Sequence, residues 1–116
     1  MMGSESIKEF NKSREEGNKL ILDNAGTQMK RLFHVDGEVY KEGVLSVKQK
    51  ELMGLVASLV LRCDDCISYH IIQCKKAGVT IEELMETLTV GYTVAGSITI
   101  PHMRRALKSW KELSED

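Results

Sequence analysis

Apolar residues recur along this chain mostly at intervals of three and four, the spacing that lines one face of a helix. The clearest run is Leu52, Leu55, Val56, Leu59 and Val60. Its apolar face is wide, which predicts a central helix. Ser46 stands where that helix needs an N-cap. Arg62-Cys63-Asp64-Asp65-Cys66 then interrupts the apolar run. Aspartate is poor in a helix interior but favourable in a first turn, where it meets the positive end of the helix dipole. The pattern therefore predicts a break near Arg62 and Cys63, then a new helix from Asp64 to Ala77, with Gly78 in the position that ends it.

The flanking segments carry their own signals. Ser4 or Ser6 opens a first helix through Ile7, Phe10 and Arg14 towards Ile21, weakened in its middle by Gly17. Its apolar positions are sparse, so it is expected at the periphery or against a partner subunit. A shorter helix follows from about Ala25 to Phe33. Asp36-Gly37 and Gly43 then predict turns across Val35 to Val44. Thr80-Ile81-Glu82-Glu83 is a capping box. It opens a helix with Leu84, Leu88, Val90 and Val94 inward, ended by Gly96-Ser97. Pro101 is expected as the first residue of the last helix, which runs to about Leu113 with Leu107 and Trp110 buried. No segment alternates with period two. The expectation is an all-α fold, with an N-terminal helical segment over residues 1–42 and the core over 43–116.

Length and charge narrow the function. A chain of 116 residues forms one domain of modest core, which gains from assembling with copies of itself. A net charge of -1 argues against nucleic acid as a partner. The longest apolar run, Leu55 to Leu61 interrupted by Ser58, is too short to cross a bilayer. Met1-Met2-Gly3-Ser4-Glu5 lacks a signal-peptide layout, so a cytoplasmic location is expected. Three cysteines is an odd number, which disfavours a purely structural disulfide framework. In a reducing compartment, a close pair is more often catalytic or metal-binding.

The candidate chemistry lies in Cys63-Asp64-Asp65-Cys66-Ile67-Ser68-Tyr69-His70. Residues three, four and seven apart share a helix face, so Cys63, Cys66 and His70 fall on one stripe. That spacing permits a reversible disulfide between the cysteines and proton exchange between His70 and the Cys66 thiol. A helix N-terminus and a nearby imidazolium favour a thiolate, while Asp64 and Asp65 oppose it. Other uses of C-x-x-C fit less well. A thioredoxin-like motif follows a strand, and a c-type haem site needs histidine where Ile67 stands. Zinc would draw on Cys63, Cys66, His70 and Cys74, but a straight helix sets the outer two roughly 16 Å apart, against bonds of about 2 Å. A three-ligand or inter-subunit metal site remains open on spacing alone. Cys74, about 12 Å along the axis from Cys66, reads as a buried, inert thiol.

Glu51, eleven intervening residues, and then Cys63-x-x-Cys66-x-x-x-His70 form a more specific pattern. Together with Leu45-Ser46-Val47-Lys48-Gln49-Lys50-Glu51-Leu52 and Thr80-Ile81-Glu82-Glu83-Leu84 after Gly78, this segment resembles the alkylhydroperoxidase D-like (AhpD-like) branch of the carboxymuconolactone decarboxylase family. The likeness covers roughly Gly43 to Trp110. It implies an AhpD-like helical array with Cys66 as nucleophile towards a hydroperoxide or disulfide. Cys63 would be the relay and resolving thiol, His70 the proton carrier, and Glu51 the group that recharges the relay through water or via Cys63. It implies no cofactor, a dithiol donor such as a lipoyl group or a thioredoxin-like protein, and a homohexamer built as a trimer of dimers. Some peroxidase members carry a histidine where this chain has Asp65. The decarboxylases of the wider family generally lack the cysteine pair. Two alternatives stand beside the redox reading: a non-redox lyase, and a metal-binding or redox-sensing oligomer.

Other polar residues read more simply. Tyr69 and Ser68 are expected as packing or surface residues, His102 as a surface or capping residue, and His34 as a residue without a partner. Arg104, Arg105, Lys108 and Lys111 are expected on a solvated helix face.

Overall fold

The computed structural model describes residues 6–115 of the chain. Six α-helices follow one another, with no strand among the described residues: α1 (Ile7–Asn24), α2 (Thr27–Val39), α3 (Val47–Leu61), α4 (Asp64–Lys76), α5 (Ile81–Ala95) and α6 (Ile100–Glu115). A single 3-10 turn, Ser97–Thr99, joins the last two.

α3 is the hub, packed on α4 on one side and α5 on another, while α6 closes over α4. Leu55, Leu59, Ile71, Leu84 and Leu88 are fully excluded from solvent and form the centre, with Ala106 and Trp110 added by α6. Gly91 lets α5 approach α3 closely. A Cβ there would lie 2.8 Å from Leu59 Cδ2 and 3.2 Å from Val56 Cγ2. Ile7 and Phe10 of α1 pack with Ile72 in a smaller cluster. The Ile7 amide donates to Glu112 of α6 at 2.7 Å, fixing the start of α1 on the core.

The helix starts follow the local signals. Ser46 accepts from the Gln49 amide while the Gln49 side chain accepts from the Ser46 amide, a reciprocal capping box. Thr80 and Glu83 do the same at α5. Ser6 caps α1; Ser4, the other candidate, lies outside the described residues. α4 ends at Lys76, and Gly78 follows at φ +82°, the left-handed conformation expected there.

Three expectations need correction. The turns placed across Val35 to Val44 begin too early, because α2 continues through Asp36-Gly37 to Val39. Gly37 is tolerated since the helix surface there is open. α1 likewise runs past Ile21 to Asn24. On α5, Leu84 and Leu88 are buried as expected, but Val90 and Val94 face outward. They sit off the Leu84–Leu88–Gly91 line that meets α3.

Candidate functional site

The site is built on the reversal between α3 and α4. Arg62 adopts the left-handed conformation (φ 60°, ψ 40°). Its amide donates to Leu59 O, and the next amide, of Cys63, donates to Ser58 O at 3.1 Å. These bonds satisfy the end of α3 and swing the chain back on itself. Cys63 is then the N-cap of α4: its sulfur accepts from the Cys66 amide at 3.2 Å. The sequence-based break therefore falls where expected, with Cys63 just outside the helix and Cys66 in its first turn.

Cys63 and Cys66 are joined in a disulfide, with their Cα atoms 5.3 Å apart. Cys66 is exposed and Cys63 half-buried. One turn further along α4, His70 points into the interface with α3 and is only 8% exposed. Glu51, on the second turn of α3, is 3% exposed. The two meet directly: His70 Nδ1–H donates to Glu51 Oε1 at 2.8 Å. Glu51 thus needs neither water nor Cys63 to reach the imidazole. With Nδ1 committed to the carboxylate, Nε2 is the ring atom left to accept a proton.

Gly54 makes this meeting possible. A Cβ at position 54 would lie 2.5 Å from His70 Cε1, 2.7 Å from Nε2 and 2.9 Å from Nδ1. The imidazole therefore lies flat against the bare backbone of α3, one turn from Glu51. The space beside Gly54 is thus taken by a side chain of α4 rather than by its backbone.

The outer wall comes from residues that the motif does not include. The Tyr69 ring meets His70 edge-on at 5.1 Å, and the Arg14 guanidinium lies 4.3 Å above the Tyr69 ring. Tyr40, at the end of α2, lies 5.5 Å from His70 on another side. Burial raises the hydroxyl pKa of both tyrosines, and the Glu51 charge adds to it. Tyr69 packs on the Ile7, Phe10 and Ile72 cluster, as expected, and also walls the site. A cleft of about 280 Å³ opens here. α1 contributes Phe10, Arg14 and Asn18 to it, and Asp36 and Tyr40 face them across Cys66 and His70. No signal in the sequence distinguishes Arg14 or Tyr40 from other helix-surface residues; they act through tertiary approach.

Asp64 is the first residue of α4 and is held by α6. It accepts from His102 Nδ1 at 2.8 Å and from Arg105 Nη2 at 2.9 Å. Arg105 also lies 3.1 Å from His102 Nδ1, but a nitrogen that donates to the carboxylate does not accept there, so the Asp64 bonds define the cluster. Burial pushes the Asp64 carboxyl up, yet the two hydrogen bonds and the cations outweigh it and hold the pKa below the usual value. This corrects two expectations. His102 is a buttress of the α3–α4 turn rather than a surface or capping residue, and Arg105 is turned to Asp64 rather than out to a solvated face. The opposition of Asp64 to a thiolate is offset by the cation beside it. His34 also has a partner, Glu38 at 3.4 Å, in an exposed pair on α2.

Cys74 is completely buried, and burial foremost, then the Glu51 charge, pushes its thiol up to about 12. Its burial is as expected. Among the described residues, no three His, Cys, Asp or Glu side chains gather to hold a metal ion. No described helix is long and apolar enough to cross a membrane.

The described chain is thus all-helical, with a disulfide-linked cysteine pair at a helix start and a buried Glu–His pair behind it. The sequence profile of the carboxymuconolactone decarboxylase family matches residues 28–109, and the chain belongs to that family. A crystal structure of a Thermotoga maritima protein superposes with a TM-score of 0.90 at 50% identity, covering 93% of this chain and 95% of that one. A second Thermotoga maritima structure matches at 49% identity and a TM-score of 0.87, over 91% of this chain and 90% of that one. It is described as a carboxymuconolactone decarboxylase family protein, with involvement in antioxidative response raised as a possibility. A family member from Legionella pneumophila shares the fold at a TM-score of 0.85 and 24% identity, over 93% of this chain and 96% of that one. A Paracoccus denitrificans protein of the cox locus, itself uncharacterized, is 27% identical over 75 residues, 65% of this chain and 68% of that one.

Proposed function

We propose that the protein is a thiol-dependent oxidoreductase of the AhpD-like type that reduces hydroperoxides through Cys66 and Cys63. The observation that carries this reading is the buried Glu51–His70 hydrogen bond, 2.8 Å long, placed behind an exposed cysteine that is disulfide-linked to its neighbour. A buried carboxylate–imidazole pair is costly to maintain as packing alone. Beside a thiol it is a proton relay.

The cycle balances as follows. In the reduced protein, His70 Nε2 takes the Cys66 proton, and Glu51 stabilises the imidazolium. The thiolate attacks the terminal peroxide oxygen. The O–O bond breaks, Cys66 becomes a sulfenic acid, and the departing alkoxide takes the proton back from His70. The Cys63 thiol then attacks the sulfenic sulfur, the disulfide forms, and water leaves. A donor dithiol, of lipoyl or thioredoxin-like type, resets the pair by two thiol–disulfide exchanges and leaves oxidised. In this cycle the Cys63–Cys66 disulfide is the state after peroxide and before donor.

Self-association belongs to the same proposal, with a hexamer built as a trimer of dimers as its form. α2 buries none of its residues, and Leu32, Val35 and Val39 are more than half exposed. A helix of 13 residues is marginal in water without packing, which favours cover by another copy of the chain. Light scattering on the purified protein tests this. A monomer at micromolar concentration would overturn it.

The activity is tested by peroxide consumption with a dithiol donor. Wild type is expected to turn over and Cys66→Ser to lose essentially all activity. Cys63→Ser should lose most of its turnover, because the Cys66 sulfenic acid must then wait for an external thiol. A wild type that consumes no peroxide but whose disulfide is readily reduced would redirect the reading to a disulfide substrate. A wild type that neither consumes peroxide nor forms the Cys63–Cys66 disulfide would overturn the redox reading in favour of the non-redox lyase or a structural role.

A further inference from the structure

Lys50 stands next to Glu51 on α3 but turns the other way, to the end of α2. Its ammonium donates to Val39 O at 2.8 Å and to Lys41 O at 2.7 Å, the carbonyls on either side of Tyr40. These lie where α2 finishes, at the negative end of its dipole, and a lysine supplies the charge and the donors that this end lacks. The ammonium is seated in the following loop, 3.5 Å from where a Cβ on Gly43 would be. Little else fixes this part of α2, which buries none of its residues. Yet Tyr40, held between the two carbonyls, reaches back to lie 5.5 Å from the His70 ring and lines the cleft to Cys66.

We propose that Lys50 is a positioning residue for the Glu51–His70 relay: by gripping the carbonyls that flank Tyr40, it sets the Tyr40 ring as the outer wall over His70 and fixes the width of the opening to Cys66. Adjacent residues of one helix turn thereby serve the site from two sides. Glu51 holds the imidazole from within, and Lys50 holds its cover from without. The inference rests on the proposed function for its meaning, but its geometry is read by chemistry that needs no peroxide.

The test is the size selectivity of Cys66 alkylation in the reduced protein. Two uncharged reagents are compared, N-ethylmaleimide and the bulkier pyrene maleimide, with modification of Cys66 located by mass spectrometry. In Lys50→Met the rate ratio of bulky to small reagent is expected to rise about tenfold, as befits loss of charge-assisted hydrogen bonds that hold the wall. Lys50→Arg, which still reaches both carbonyls, should keep the wild-type ratio. Tyr40→Leu should raise the ratio as Lys50→Met does, and adding Lys50→Met to Tyr40→Leu should change nothing further. Far-UV circular dichroism checks that each variant is folded. If Lys50→Met does not fold, Lys50→Gln is read in its place, with a smaller rise expected. An unchanged ratio in the lysine variant overturns the proposal, and so does a full additional effect in the Tyr40→Leu background. Should the ratios behave as expected while wild type consumes no peroxide, the positioning role stands and the peroxidase reading fails.

Discussion

Replacing Gly54 by alanine adds one methyl group at the point where the imidazole rests on α3. The new carbon would lie 2.5–2.9 Å from three ring atoms of His70, whereas carbon contacts settle at about 3.5–4.0 Å. The ring must therefore retreat by about 1 Å. It has little freedom to do so, since Tyr69 meets it edge-on at 5.1 Å, Tyr40 lies at 5.5 Å and Glu51 holds Nδ1 at 2.8 Å. Overpacking of this kind costs about 1–3 kcal/mol, partly offset by the ~1 kcal/mol that alanine gains over glycine within a helix. A displacement of that size at a proton relay lowers turnover about 100-fold. The assay is twofold: peroxide turnover with a dithiol donor, and thermal unfolding in both the wild-type and His70→Ala backgrounds. Removing the imidazole vacates the space, so Gly54→Ala should stabilise the His70→Ala protein by ~1 kcal/mol, a rise in Tm of about 4 °C. In the wild-type background that gain should be absent. Equal stabilisation in both backgrounds would refute the contact argument. Undiminished turnover would refute the dependence of activity on ring position.

Other perturbations test separate parts of the structure. Glu51→Ala leaves the His70 N–H without its buried acceptor and should lower stability by about 1–3 kcal/mol, which urea titration would detect, together with a large loss of turnover. The Asp64 pKa is lower folded than unfolded, so its stabilisation is present above the unfolded carboxylate range and is lost as pH falls through the folded value. Wild type should therefore exceed Asp64→Asn in stability at neutral pH, with the gap closing below about pH 4; a gap that persists at pH 2 would contradict this. Cys74, with its thiol near 12, should resist iodoacetamide in the folded protein at pH 8 and react once guanidinium unfolds it, as mass spectrometry can show. Leu88→Ala should cost about 2–5 kcal/mol, because Leu88 is fully buried against α3.

How much of this was legible beforehand depends on where each interaction acts. The helix boundaries at Ser46, Thr80 and Gly78 are set by bonds spanning a few residues, so they can be read locally. The Glu51, Cys63, Cys66 and His70 set was legible because it lies within one hairpin and follows a distinctive spacing. The extent of α2 was not: Asp36-Gly37 has the composition of a turn, yet the helix continues through it. Arg105 and His102 looked like an ordinary basic face because Asp64, their partner, lies some forty positions away. The contributions of Arg14 and Tyr40 arise only when α1 and α2 close against α4, and no local pattern encodes that approach.

The left-handed turn at Arg62 has a consequence for portability. Because α3 and α4 fold back on each other there, Glu51 and His70, nineteen residues apart, come face to face without help from distant chain. The four residues of the proposed relay and the glycine that accommodates the imidazole all fall within one helical hairpin, a unit of low contact order. The rest of the chain shields and braces that unit, α6 through Asp64 and α5 against α3. Moved as a block into another helical scaffold with a matching apolar face, the hairpin would carry its relay with it. What it would leave behind is the aromatic wall, and with it the filter on what reaches Cys66.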